Sequence, residues 1–453
     1  MESVFNVMES MESVGLTTLE IFRNKADNAF LLRSMKEWDE SIKWNRYMVD
    51  FTSEDILTSD YRAIGTRALL ANFSALGLKD YLERIEQLLK EGKHHGIEFY
   101  YNRKKNIRVM YCKHVNTLGI GNKKHALRSG GIRRHELGEP EIDVLIDGLN
   151  LARAMSYKNA IGNIPYGGSK IVVQCNDIKL DDDESLGFLA YTIDRTRSFT
   201  GPDMGFSPEF ADVLREKFTR NIGCGAETFM GPSGIPTAYG IYLAMNEVCD
   251  FVYGSSLADK KIAVQGLGAV GFPLAERLLK DGAKLTVAEV NLPLVRKLQG
   301  KWGIDSVKYV EPEDIYSVDA DIFSPCAMGG IITEERIRDF KFNIIVGAAN
   351  NQLKATSKEG EIELAKKLAD AGILFIIDWA CNTGGVIAGW AEHVFEKEAS
   401  FEKIKPRIEL VCKDNLRKLL HEARRTGKTP TELAYESVGN AVYNIGTKFS
   451  ESL

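Results

Sequence analysis

From Arg67 to Lys93 the apolar residues Leu70, Phe73, Leu76, Leu82, Ile85, Leu88 and Leu89 share one helical face, and Gly96 stands beyond as a stop. The period then changes. Ile97-Glu-Phe-Tyr-Tyr and Ile107-Arg-Val-Met-Tyr-Cys read as strands joined through the polar turn Asn102-Arg-Lys-Lys-Asn. Helical spacing returns in Leu145, Leu149, Ala152 and Met155, and Ile171-Val-Val reads as a buried strand. An acidic turn, Asp181 to Glu184, opens a helix through Leu189, and Ser207-Pro-Glu supplies an N-cap and a first-turn proline for another. After Gly231 strands and helices alternate in short units, with strands expected at 262–265, 285–289, 320–323, 343–346 and 374–377. Alternation at this spacing means a doubly wound parallel sheet.

These changes of period divide the chain into a helical N-terminal extension over 1–95, an α/β catalytic or substrate domain over 96–233, and a nucleotide domain over 234–394. Helices over 403–425 and 429–447 lie within a last segment, 395–453, expected to pack back on the substrate domain. A content of 44% hydrophobic and 27% charged residues fits a globular protein of this size. The net charge of -5 argues against a nucleic-acid footprint. The chain has no 18-residue apolar run, and its first residues lack the basic-then-apolar order of a signal peptide, so no membrane partner and a cytoplasmic location are expected. Seven scattered cysteines without a Cys-x-x-Cys pair favour a reducing compartment, and neither they nor the histidines have metal-ligand spacing.

The chemistry concentrates between 155 and 170, where Lys158 and Lys170 bracket Gly162, Pro165, Gly167 and Gly168. Two lysines gathered in one site disfavour each other's protonation, and burial adds to the effect, so a lysine free base becomes available as a general base. The stretch alone does not choose between that arrangement and two solvated lysines flanking a loop. Asp203, in Thr200-Gly-Pro-Asp-Met-Gly, is a candidate acid on a loop, although a bare turn aspartate is the commoner meaning of such a pattern. The basic segment Asn122 to His135 suits either an anion or solvent.

A further motif is more specific. Gly266-Leu-Gly-Ala-Val-Gly271 follows an apolar strand, opens an amphipathic helix through Leu274, Leu278 and Leu279, and precedes Glu289 at the spacing of a ribose-binding acid. Gly266, Gly268 and Gly271 let the backbone approach a pyrophosphate, with Leu267, Ala269 and Val270 between them. A carboxylate at Glu289 favours NAD over NADP. Three small-residue loops, from Ser324, Gly347 and Asp378, end strands of the same sheet and suggest a cleft.

Together Tyr157-Lys-Asn-Ala, Gly167-Gly-Ser-Lys170, Gly-Pro-Asp203, the Gly266 motif, Ala349-Asn-Asn-Gln-Leu and Asn382-Thr-Gly-Gly-Val resemble the amino acid dehydrogenases of the glutamate, leucine, phenylalanine and valine type, from about 97 to 445. The cofactor half resembles the leucine and phenylalanine enzymes. The resemblance implies an N-terminal α/β substrate and oligomerisation domain, a Rossmann-type domain, an active-site cleft between them, and a homo-oligomer. It implies NAD-dependent, reversible oxidative deamination of an L-amino acid to a 2-oxo acid and ammonia. By the same resemblance Lys158 binds the substrate carboxylate, Lys170 activates water, and Asp203 shuttles a proton at the substrate nitrogen. Asn351 helps hold the substrate, while Thr237, Cys326, Ala327 and Asn350 line the nicotinamide. The side-chain pocket falls to Ser129, Gly130, Gly201, Val386 and Gly389. Ser129 stands where glutamate enzymes carry lysine, and the small pocket walls imply a bulky hydrophobic or aromatic substrate. A specialised biosynthetic enzyme of the same fold, acting on a non-standard 2-oxo or imino acid, is the alternative.

Overall fold

Two strands meeting at the polar turn organise the first half of the chain. Gly96–Asn102 and Ile107–Lys113 pair antiparallel, Ile97 opposite Cys112 and Phe99 opposite Met110. In the computed structural model, which describes residues 7–23, 29–59, 62–115 and 128–443, this hairpin belongs to a nine-stranded mixed sheet. On one side Gly96–Asn102 pairs with Thr18–Arg23, which pairs with Phe30–Lys36 and then Arg62–Gly65, all antiparallel. On the other, Ile107–Lys113 pairs with Gly167–Gln174, whose far edge takes up the parallel strands Arg128–Ser129 and Ile132–His135.

Successive side chains of a strand point to opposite faces, and both faces of this sheet are covered. Ile97, Phe99 and Val172 meet Leu82, Ile85 and Leu89 together with Leu145, Leu149 and Ala152 of the helix Glu141–Ile161. On the opposite face Val109, Tyr111, Ile171 and Val173 meet Leu186, Phe188 and Leu189. Gly167–Gln174 is therefore buried at every position, which is why Ile171-Val-Val within it runs apolar instead of alternating.

The helical expectation for residues 1–95 needs correction: three strands of the sheet come from this segment. Phe30, Leu32 and Ser34 turn inward while Leu31 and Arg33 do not, a period of two that identifies a strand. The expected face over Arg67–Lys93 is split between two helices, Thr66–Ala75 and Lys79–Glu91, because Gly77 takes a φ of 76° that breaks the run. In the first of them Leu69 is buried and Leu70 exposed.

The second compact unit comprises Tyr157–Ile164 and the described residues from Pro232 on. Its sheet has six parallel strands in the order Val307–Tyr309, Lys284–Ala288, Lys261–Gln265, Ile322–Pro325, Ile344–Ile345 and Leu374–Phe375. Numbered along the chain this is 3-2-1-4-5-6, the dinucleotide-binding order, with its reversal between Lys261–Gln265 and Ile322–Pro325. Val307–Tyr309 was not expected from the sequence; it is a three-residue edge strand in which only Val307 is buried.

The C-terminal helices also correct an expectation. Phe401–Glu409, Leu416–Thr426 and Pro430–Tyr443 group with the second unit instead of completing the first. Glu409 accepts from the Tyr239 hydroxyl at 2.7 Å, and Arg417 holds Glu247 through two bonds of 2.8 Å, tying them to the helix Gly234–Tyr253.

Candidate active site

Lys170 lies within Gly167–Gln174, between Ile107–Lys113 on one side and Ile132–His135 on the other. The loop carrying Asp203 is threaded along Ile132–His135: Ile132 N–H donates to Gly201 O at 2.9 Å, Asp203 N–H to Ile132 O at 3.0 Å, and Arg134 N–H to Met204 O at 2.9 Å. These bonds fix Asp203 opposite Lys170, whose ammonium donates to Oδ2 of Asp203. The other oxygen, Oδ1, accepts the Met204 N–H at 2.8 Å.

Burial pushes the Lys170 ammonium below its ordinary range, while the Asp203 charge pulls it back up. For Asp203 burial acts against ionisation, yet Lys170 and Arg133 beside it hold its carboxyl far below the usual range. The pair is thus a buried base candidate with a fixed anion next to it. Ser129 pairs with Gly168 in the neighbouring strand, and a Cβ on Gly130 would stand 2.0 Å from Ser169 O, so both line the backbone that carries Lys170.

Lys158 sits in the last turn of Glu141–Ile161, in the part of that helix belonging to the second unit, where the Tyr157 ring lies tilted against Trp379 at 5.1 Å and meets Tyr435 edge-on at 5.1 Å. Lys158 Nζ donates to Oδ1 of Asn350 at 2.6 Å, and the same oxygen accepts Nδ2 of Asn382 at 3.0 Å. Asn350, the residue assigned to the nicotinamide, thus reaches Lys158. Asn351, the residue assigned to the substrate, takes a left-handed φ of 52° and donates its N–H to Asp378 at 3.2 Å. Burial raises the Asp378 carboxyl to about 6, against the pull of Lys158.

The loop after Lys261–Gln265 has the form that a dinucleotide requires. Gly266 adopts a φ of 88°, open to glycine alone without strain, and a Cβ on Gly271 would strike Gly266 O at 1.9 Å. At Gly268, by contrast, a Cβ would meet nothing within 4 Å, which leaves the backbone open to a ligand. No side chain caps the helix Gly271–Lys280, so its first N–H groups and dipole face the loop that precedes it. Glu289, just past Lys284–Ala288, accepts from Leu267 N–H at 2.5 Å and Asn291 N–H at 2.8 Å.

Cys326 and Ala327 adjoin this loop at the sheet's switch point, their atoms lying 3.2 and 2.9 Å from a Cβ placed on Gly266. Ala269 O lies 2.3 Å from a Cβ on Gly234, and Thr237 Oγ1 lies 2.8 Å from one on Gly385, next to Val386. Val386 and Gly389 share the helix Gly384–Phe395. The described residues contain no group of His, Cys, Asp or Glu that could hold a metal ion.

Sequence reasoning missed Gly131, Arg133 and Asp378. A Cβ on Gly131 would lie 2.7 Å from Lys170 Nζ, and Arg133 forms an ion pair with Asp203 at 3.2 Å. The signal for Arg133 was an arginine two residues past a glycine pair, where solvent was as good an expectation as an anion.

Residues 294–445 match the model of the glutamate/leucine/phenylalanine/valine dehydrogenase family, and residues 120–217 match its dimerisation domain. Leucine dehydrogenase of Thermoactinomyces intermedius is 32% identical over 364 residues, covering 78% of this chain and 90% of that one. Phenylalanine dehydrogenase of Lysinibacillus sphaericus is 35% identical over 327 residues, covering 70% and 80%. The crystal structure of L-tryptophan dehydrogenase from Nostoc punctiforme aligns with a TM-score of 0.60 at 28% identity, covering 79% of this chain and 98% of that one. With its lysine–aspartate pair, its dinucleotide-binding sheet and these relatives, the chain belongs to the glutamate/leucine/phenylalanine/valine dehydrogenase family and is an amino acid dehydrogenase, an oxidoreductase acting on a CH–NH2 group.

Proposed function

We propose that the protein oxidises a bulky hydrophobic or aromatic L-amino acid to its 2-oxo acid and ammonia with NAD, reversibly. The observation that carries this is the buried Lys170–Asp203 pair. Bound NAD supplies the acceptor for the hydride of the amino acid's α-carbon. Lys170, whose ammonium burial pushes below its ordinary range, takes a proton from water, and Asp203 gives and takes one at the substrate nitrogen. Lys158 holds the substrate carboxylate as a cation with its ammonium steadied by Asn350, while Asn351 helps hold the substrate. Ser129, Gly130 and Gly201 in the first unit, and Val386 and Gly389 in the second, are the residues we assign to the substrate side chain, and the relatives named for leucine, phenylalanine and tryptophan support an apolar substrate.

The Gly266–Gly271 turn holds the pyrophosphate, Glu289 the ribose, and Thr237, Cys326, Ala327 and Asn350 the nicotinamide. Glu289 supports NAD over NADP, since a carboxylate binds a ribose hydroxyl and repels a phosphate. The match to a dimerisation domain supports a homo-oligomer. Seven free cysteines support the cytoplasm. The test is NADH formation across the twenty amino acids at alkaline pH, with Lys170→Ala alongside. Turnover of leucine, phenylalanine or tryptophan and a loss in the variant of roughly 1,000-fold or more, the scale of a general base, is expected. Absence of turnover with all twenty, or an active Lys170→Ala, defeats the proposal.

A further inference from the structure

Of the basic stretch Asn122 to His135, residues 122–127 lie outside the described residues; at its described end Arg133 and His135 meet partly buried aspartates. Arg133 Nη1 lies 3.0 Å from Oδ2 of Asp147, and Nη2 lies 3.2 Å from Oδ2 of Asp203. Asp147, on the helix Glu141–Ile161, also receives His135 Nε2 at 3.2 Å, and His135 Nδ1 meets Glu139 at 2.9 Å. Asp203 Oδ2 therefore takes two cations at once, Lys170 and Arg133, while its second oxygen is held by a backbone N–H. The guanidinium is a rigid planar fork that stays charged throughout the working range. With one prong on Asp147, the other has a fixed aim.

We infer that Arg133 is a positioning residue for the reaction: anchored by Asp147, which His135 orients in turn, it holds the Asp203 carboxylate at Lys170. The inference rests on Lys170 and Asp203 acting as proposed above. The charged groups facing Arg133 are Asp203 from the 200–205 loop, Asp147 from the helix and Lys170 from the neighbouring strand, with His135 and Glu139 beyond Asp147. The two ends of the Arg133–Asp147 pair act on Lys170 with opposite sign: the guanidinium disfavours its protonation and the carboxylate favours it. A clamp that merely joined strand to helix would destabilise the fold when cut, and would leave the pH profile where it was.

The test measures kcat and KM for amino acid oxidation against pH, with thermal melting as a check on folding, for the wild type, Arg133→Gln, Arg133→Lys and Asp147→Asn. Oxidation rises with pH as Lys170 loses its proton. In Arg133→Gln the rising limb is expected to move up by about one pH unit, with kcat down by roughly 10- to 100-fold and KM for the amino acid within about threefold. Arg133→Lys restores part of both. In Asp147→Asn, which keeps the guanidinium, the limb moves the other way, to lower pH. Limbs that stay put in both variants, or shift in the same direction, overturn the inference. Should Arg133→Gln fail to fold, the direction of the Asp147→Asn shift decides. An active Lys170→Ala removes the underlying reading and this inference with it, a result distinct from unmoved limbs in an enzyme that needs Lys170.

Discussion

Gly131→Ala separates activity from stability at the lysine–aspartate pair. A Cβ added at Gly131 would stand 2.7 Å from Lys170 Nζ but at 3.4 Å, ordinary contact, from Asp203 Cβ and Gly201 O. The only atom that has to give way is the end of a flexible side chain, and the backbone at Gly131 does not have positive φ. Stability should therefore change by less than about 1 kcal/mol, as for substitutions that neither open a cavity nor strain the backbone. The ammonium, however, must retreat by about 0.7 Å to reach ordinary contact, and displacements approaching 1 Å at a reacting group cost up to about 100-fold in rate. The expected result is a kcat for amino acid oxidation lower by roughly 10- to 100-fold with an unchanged melting temperature. Steady-state NADH formation and thermal melting on the same preparation measure both. A variant with wild-type kcat would refute the placement of Lys170 at the reacting centre, and one that fails to fold would refute the packing at Gly131.

Glu289→Gln should reduce discrimination between NAD and NADP by about tenfold, the worth of a charge-assisted bond; an unchanged ratio of kcat/KM for the two cofactors would count against Glu289 as the ribose ligand. Glu141 is raised to about 7 by burial, against the hydrogen bonds from Val7 N–H and Tyr81 OH. Its folded-state value lies above the unfolded one, so the native chain binds the extra proton. The stability this contributes is complete below about pH 4.5 and is lost as pH rises through about 7, on the order of 3 kcal/mol in all. Glu141→Gln should remove that slope, making the variant relatively more stable at pH 8 than at pH 5; parallel melting curves at both pH values would contradict it.

The nucleotide unit was legible because its information is local. The turn from Gly266 to Gly271 needs particular residues at particular positions, and the strand–helix alternation around it admits few topologies. Lys158, Lys170 and Asp203 could be singled out because their flanking glycines and apolar runs locate them at the ends or edges of elements. The strands of the N-terminal segment were harder to see. Thr18–Arg23 and Phe30–Lys36 are short and carry Glu20 and Arg33, and their alternation gains meaning only once Gly96–Asn102 lies alongside.

Which groups meet was decided by tertiary structure alone. Lys170 and Asp203 are 33 residues apart, Lys158 and Asn350 192 apart, and Arg133 and Asp203 70 apart. Such contacts depend on strand register and on the exact path of a loop, and a shift of one residue along either would exchange one neighbouring side chain for another. The chain's own residues thus determined that a dinucleotide-binding type of fold was present, and they marked Lys158 and Lys170 as candidates for its chemistry. Packing decided that Asn350 meets Lys158, and that Arg133 turns inward to the aspartates, because a buried charge must find its counter-charge wherever the fold brings one within reach.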